Sequence, residues 1–157
     1  MRPKVSVITL AYNSREYIEQ TIKGVIHQRA GFGIRHVISD DCSTDGTHEL
    51  CLEWQRRRPD IIDVRRNGHN LGLQANFMAA YAHCDGEYIA MCDGDDYWCD
   101  RDKLRLMVGY MDAHPDCAVA FHRVINYFED NGTKSLSNGG QRKLTTIEDL
   151  ARSNTIT

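Results

Sequence analysis

The sequence has little that would tie it to a surface or to an export route. No apolar run approaches the roughly 20 residues that a bilayer-spanning helix needs, and the first residues carry no signal-peptide pattern. Charge of one sign is missing too. The 19 Lys and Arg face 22 Asp and Glu for a net charge of -3, so no strong field draws the chain to nucleic acid or anionic lipid. The basic run Arg56-Arg57-Arg58 follows a helical stretch with Leu50 and Trp54 and reads as a solvated helix end, where cations suit the dipole. The 6 cysteines, Cys42, Cys51, Cys84, Cys92, Cys99 and Cys117, include no Cys-x-x-Cys pair. A zinc site on His83, Cys84, Cys92 and Cys99 would need spacings unlike the usual ligand patterns, so free thiols in a reducing cytoplasm are expected. Absent as well are a Gly-x-Gly-x-x-Gly after the first strand, where the chain reads YNS, and any P-loop, which argues against a dinucleotide-dependent oxidoreductase.

What is present is an alternation of strands and helices. At 157 residues the chain has the length of one domain and is expected to fold as a single unit. Val5 to Ala11 is a β-branched run, after which Ile18, Ile22, Val25 and Ile26 fall on one helical face, with Asn13 as a plausible N-cap and Glu16 three residues on. His36 to Ser39 reads as a second strand, and DDCSTDGT as a polar loop opening a helix near residues 46 to 58. Ile61 to Arg65, a Gly-rich turn (NGHNLG) and a helix from Leu73 to His83 repeat the unit. Glu87 to Cys92 and a helix marked by Leu104, Met107, Val108 and Met111 repeat it again, and Ala118 to Phe128 is the expected fifth strand. Glu129 to Lys143 has the composition of a loop, and Thr146 with Asp149 would cap a short helix. This order predicts an α/β domain with a mostly parallel sheet, whose ligands bind beyond the carboxyl ends of the strands.

Two acidic clusters fall at that edge: Asp40-Asp41 with Asp45, and Asp93 with Asp95-Asp96. Crowded carboxylates raise one another's pKa unless a cation or donor compensates. Two Asp separated by one residue after a strand suit a hard cation such as Mg²⁺ or Mn²⁺ that also takes phosphate oxygens from a ligand. An isolated DGDD would read as a solvated turn; its place after a strand, with a second cluster at the same edge, favours the metal. DDCSTDGT also resembles the opening of a calcium loop, with Asp41, Ser43, Asp45 and Gly46 at positions one, three, five and six, but Leu52 stands where that loop needs a Glu.

VSVITLAYN, VISDDCSTDGT, NLG, GEYIAMCDGDDYW and Asp102-Lys103-Leu104, in order from Val5 to Phe121, resemble the family 2 glycosyltransferases of the GT-A fold, a Rossmann-like alternation of β and α. The resemblance implies a nucleotide-sugar site, with a UDP-sugar favoured. It assigns Thr9, Ala11 and Tyr12 to the base and ribose, Asp41 to the uracil edge and Asp40 to its support. Asn70, Gly72 and Asn76 match a segment near the donor, where Gln74 replaces a basic residue often found there. Asp93 would hold the ribose or a metal-bound water, Asp95 the Mn²⁺ or Mg²⁺ bridging two phosphates, and Asp96 would supplement them. Trp98 would line the acceptor side. Tyr12 and Trp98 have core readings as well, Asn76 one as a satisfied helix residue, and His122 reads as structural. A carboxylate accepting the imide N–H while an aromatic ring packs on the base is the physical logic of a uridine site.

The resemblance further implies inverting transfer to a hydroxyl of a glycan or lipid-linked acceptor, in polysaccharide, lipopolysaccharide or capsule biosynthesis. A carboxylate base takes the acceptor proton as the metal stabilises the leaving diphosphate. That base is expected beyond Thr157, since Glu148 and Asp149 come too early, and Ser153 to Thr157 looks like the start of an acceptor-side strand that is cut off. A non-catalytic fragment that binds the nucleotide sugar is the alternative. The expected setting is the cytoplasm, with peripheral association at the inner membrane face in a longer chain.

Overall fold

A computed structural model describes residues 2–137 and residue 146. The expectations for Lys143, Glu148, Asp149 and Ser153 to Thr157 lie outside the described residues. Two compact units are present, one ending at Tyr110 and the other beginning at Met111. No described helix is long and apolar enough to cross a membrane.

The first unit is a parallel α/β sheet. β1 (Val5–Ala11) is flanked by β2 (Ile34–Asp40) and β4 (Tyr88–Met91), and β3 (Ile62–Arg66) lies beyond β2, giving the order β3-β2-β1-β4. Val5 pairs with both Ile34 and Tyr88, and every pairing in this sheet is parallel. All seven residues of β1 are buried, Ser6 and Thr9 included, as befits a β-branched central strand covered on both faces.

The helices cover the two faces. α1 (Ile18–Ile26) buries Ile18, Thr21, Ile22 and Val25. With Cys51 of α2 (Thr47–Arg57), Ile18 and Ile22 pack on Ala11, Ile38 and Ile62. Val25 joins Val5, Val7, Trp98 and, from α4 (Lys103–Ala113), Leu104 and Val108. The opposite face, Ile8, Leu10 and Val37, takes Ala80 of α3 (Leu73–Tyr81), whose small side chain permits a close approach.

One buried polar pair interrupts the apolar layer. His36 is fully buried, its Nε2 lies 2.8 Å from the Thr9 hydroxyl, and its Nδ1 has no partner. Burial lowers its pKa from 6.5 to about 3, so the ring is neutral.

Two expectations are corrected. Asn13 is not the N-cap of α1: it takes a left-handed φ of 50°, and the helix begins at Ile18 after Tyr17 with no side-chain cap. The Ser14 carbonyl accepts the Tyr17 and Ile18 N–H groups instead. The fifth strand is also shorter than read. Ala118 to Val124 has no regular structure, and β5 (Ile125–Phe128) pairs antiparallel with β6 (Thr133–Leu136) in a separate two-stranded sheet. Asp130-Asn131-Gly132 supplies the turn, with Gly132 at φ 67° and the Asn131 Oδ1 accepting the Thr133 N–H at 2.9 Å. Local turn chemistry thus gives this strand a near neighbour as its partner.

Candidate functional site

The sheet order reverses at β1: the chain moves outward to β2 and β3, then returns to β4 on the other side. Such a switch point leaves a crevice beyond the carboxyl ends of the two strands. Tyr12 follows β1 there and Asp93 to Asp96 follow β4, while Asp40 and Asp41 close β2.

The β2 acids are committed to protein donors. Asp40 is fully buried; its carboxylate accepts the Ser43 N–H at 3.3 Å, and Oδ2 stands 3.4 Å from Arg66 Nε and 3.6 Å from His48 Nδ1. Arg66 also donates to the Ser43 carbonyl at 3.0 Å. Asp41, 3% exposed, accepts from Asn67 Nδ2 at 2.8 Å, from the Leu71 N–H at 2.8 Å and from the Gly72 N–H at 2.9 Å. Burial alone would raise its pKa, but these donors to the ionised form hold it below the usual carboxylate value. Asp45 accepts the N–H groups of Thr47, the first residue of α2, and of Arg15, each at 3.0 Å. The acids of DDCSTDGT therefore serve three separate backbone sites, and the calcium-loop likeness carries no ion-binding geometry.

Several expected contacts are enclosed rather than presented. Thr9 is 0% exposed, with its hydroxyl on His36, and Ala11 is 1% exposed, with its carbonyl accepting the Asp41 N–H at 2.8 Å. Both side chains are therefore enclosed, Ala11 within the core formed with Ile18, Ile22 and Ile38. Asn76 is buried: its Oδ1 accepts from Ser39 Oγ and, at 2.9 Å, from Asn67 Nδ2, and its own Nδ2 donates to the Ser39 carbonyl at 3.3 Å. This is the satisfied helix residue of the sequence reading. Tyr12, 54% exposed, has its ring in the open, and Asn70 is exposed, with its Oδ1 accepting the Gly72 N–H at 3.0 Å. Trp98, at 9% exposure, takes the core reading given for it above: its ring packs in the buried cluster, with the Lys103 ammonium 3.9 Å from its centroid. The open aromatic beside it is Tyr97.

The β4 acids differ from those of β2. Asp93, Asp95 and Asp96 are exposed, and no hydrogen bond or ion pair among the described residues engages their carboxylates. Loss of surrounding water and then the charges of Asp96 and Asp95 raise the Asp93 pKa; the same loss and the charge of Asp95 raise that of Asp96, against a smaller lowering by the Lys103 ammonium. The loop's backbone is fixed. The Gly94 N–H donates to the Leu10 carbonyl at 3.0 Å, and the Thr21 hydroxyl engages the carbonyls of Gly94 at 3.2 Å and Asp96 at 2.6 Å. A Cβ on Gly94 would lie 2.8 Å from the Leu10 carbonyl oxygen, so the middle of this acidic run has to be glycine.

The donor set fits a hard divalent cation: oxygen ligands only, mutually repelling, and offset only in part by the charge of Lys103 on Asp96. Among the described residues no three His, Cys, Asp or Glu side chains converge into a metal cluster, so a ligand's phosphate oxygens would have to complete the coordination. The zinc set on His83, Cys84, Cys92 and Cys99 does not assemble for the same reason. Burial pushes the Cys51 and Cys92 thiols up to about 12, which removes both as nucleophiles at neutral pH.

The family model for Glycosyl transferase family 2 matches residues 6–156. The chain belongs to that family. Over 131 residues it is 38% identical to an uncharacterized protein of Mycobacterium tuberculosis, covering 83% of this chain and 38% of that relative. It is 33% identical over 113 residues to the abequosyltransferase RfbV of Salmonella typhimurium, covering 71% of this chain and 34% of the relative. Among solved structures, a mannosyltransferase of Pyrobaculum calidifontis in complex with GDP-Man and Mn²⁺ matches at TM-score 0.64 and 28% identity, over 71% of this chain and 33% of that one. S. aureus TarS in complex with UDP matches at TM-score 0.63 and 29% identity, with the same coverage of 71% and 33%. The fold of this family member is GT-A. The chain spans 38% and 34% of the two sequence relatives' own lengths.

Sequence reasoning passed over Asn67, Arg66, Thr21 and Tyr97. Asn67 and Arg66 stand just beyond a strand, in the turn-rich stretch that also supplies Leu71 and Gly72. That position was the available signal. Nothing in the sequence marks Thr21, whose partners are 73 and 75 residues away.

Proposed function

We propose that this family member is the donor-binding part of an inverting glycosyltransferase that takes a nucleotide sugar, a UDP-sugar in preference, and serves the building of a cell-surface polysaccharide. The acids Asp93, Asp95 and Asp96, exposed and without a side-chain hydrogen bond or ion pair among the described residues, carry the reading, with open Tyr12 at the same switch point. The UDP and GDP-Man complexes of the similar structures support the donor class, and the abequosyltransferase relative supports the polysaccharide setting.

In this reading the Tyr12 ring packs on the base. Asp41 has three of its roughly four lone-pair sites taken by protein donors. The remaining one accepts the imide N–H of uracil, and the three donors keep it ionised for that purpose. Asp93 lies on the ribose side, and Asp95 with Asp96 would hold Mn²⁺ or Mg²⁺. That ion, when bound, neutralises charge on the departing diphosphate. In inverting transfer a carboxylate base takes the proton of the acceptor hydroxyl. Asn70 and Gly72 line the nucleotide through the loop that Asp41 fastens.

Calorimetric titration with UDP, with and without Mn²⁺, repeated on Asp95→Ala, tests this. Binding that requires the ion and is lost in the variant is the expected result. Because Asp95 is exposed, stability should stay within about 0.5 kcal/mol of the parent. Equal UDP binding with and without the ion would remove the metal-dependent donor reading.

A further inference from the structure

A cavity of about 310 Å³ opens on the flank of α1, lined by Gln20, Lys23, Gly24 and His27 on one side and by Tyr97, Trp98, Cys99 and Arg101 on the other. Its volume is at the small end of the range of about 300–1,000 Å³ typical of ligand sites, which suits one small unit of a larger molecule. It is separate from the crevice at the switch point but adjoins the acidic loop, since Tyr97 is the residue after Asp96.

Its walls are built, and all of its polar side chains except Lys23 are uncommitted among the described residues. The Arg29 N–H donates to the Arg101 carbonyl at 2.7 Å, Gln28 Nε2 to the Asp100 carbonyl at 2.8 Å, and the Leu104 N–H to Gln28 Oε1 at 3.0 Å. Gly24 brings the helix so close to the Trp98 backbone that a Cβ would lie 2.9 Å from the Trp98 nitrogen. Among the described residues, no hydrogen bond or ion pair engages the side chains of Gln20, His27 or Arg101. Lys23 is shared between Glu19, at 3.1 Å, and the Trp54 ring, 5.8 Å from its centroid. Glu19 is thus the one acid paired with a lining cation.

We propose that this pocket is an acceptor subsite for one sugar unit bearing an acidic group, a carboxylate or a phosphate. The Arg101 guanidinium offers a fork to two oxygens of that group, with Lys23 and His27 adding positive charge or N–H donors. The Tyr97 ring, 54% exposed, offers a flat apolar face to sugar C–H groups, and the Gln20 amide serves a hydroxyl. Because the walls are stapled by backbone and Gln28 bonds, binding orders side chains only. The acceptor role rests on the transferase reading; the binding chemistry rests on the pocket.

The test is a chemical-shift titration of the ¹⁵N-labelled chain. The probes are a tetrasaccharide of alternating glucuronate and N-acetylglucosamine, a neutral tetrasaccharide of N-acetylglucosamine, glucose 6-phosphate and inorganic phosphate, with UDP titrated separately. The acidic sugars are expected to move the amides of residues 20–28 and 97–101 and to bind about tenfold more tightly than the neutral one. Comparison of glucuronate with glucose 6-phosphate shows which acid is preferred. Arg101→Ala should lower acidic-sugar affinity about tenfold and Arg101→Lys by less, both leaving UDP binding intact. Equal binding of acidic and neutral sugars, phosphate binding as tightly as its sugar ester, or no shift at these residues would each overturn the proposal, whatever UDP does. Acidic-sugar binding without UDP binding would keep the pocket and remove the transferase reading instead.

Discussion

The carboxylate of Asp41, at the end of β2, accepts the backbone N–H of Gly72, 31 residues away, at 2.9 Å. With the bonds from Leu71 and Asn67 it ties the loop before α3 to the sheet edge. Asp41→Ala should cost about 3 kcal/mol in chemical denaturation, because two backbone donors and an amide lose their acceptor at a position only 3% exposed. The carboxyl's pKa is depressed on folding, so its contribution is complete above the ordinary carboxylate value and is lost as pH falls through the folded value. Asp41→Asn should flatten that part of the acid limb.

His36 gives a second, separable pH dependence. Its folded pKa of about 3 lies below the ordinary 6.5, so the unfolded chain takes up a proton that the folded one refuses. Stability should therefore fall by about 1.4 kcal/mol per pH unit once pH drops below 6.5, and continue to fall toward 3. Denaturation midpoints of the parent and His36→Gln from pH 7 to 4 check this, the variant losing the slope.

Gly94→Ala sets a Cβ against the Leu10 carbonyl, on backbone that cannot swing aside. A loss of about 1–3 kcal/mol in thermal or chemical denaturation is expected. Metal-dependent UDP binding should fall as well, since the carboxylates on either side are displaced.

Tyr12→Ala removes an exposed ring and leaves the packed interior alone. UDP affinity should drop about tenfold, the stacking contribution of a base on an aromatic ring, with the denaturation midpoint unchanged. An unchanged affinity would place the base elsewhere.

Much of the frame was legible from the sequence. The β-branched run of Val5 to Ala11 admits little but a buried strand, and the acids after β2 and β4 follow from strands ending where Asp and Gly begin. The same logic stopped short where tertiary contact decides. Trp98 and Tyr97 are interchangeable in a sequence; the close approach of Gly24 to the Trp98 backbone accompanies one ring in the core and the other left outside. The commitment of Asp41 and Asn76 to protein partners depends on loops that meet across 30 or more residues. Asp130-Asn131-Gly132 was a readable hairpin signal that a polar composition concealed.

Thr21 is a small feature with a thermodynamic consequence. Its hydroxyl pins two carbonyls of the acidic run to α1, so the conformational freedom of that run is surrendered when the chain folds. On the function proposed above, a diphosphate arriving with its ion would meet carboxylates whose backbone is already in place, and association would not have to order the loop. Loosening that tether, as in Thr21→Ala, moves the ordering cost from folding to binding and would register as a larger entropic penalty on the ligand.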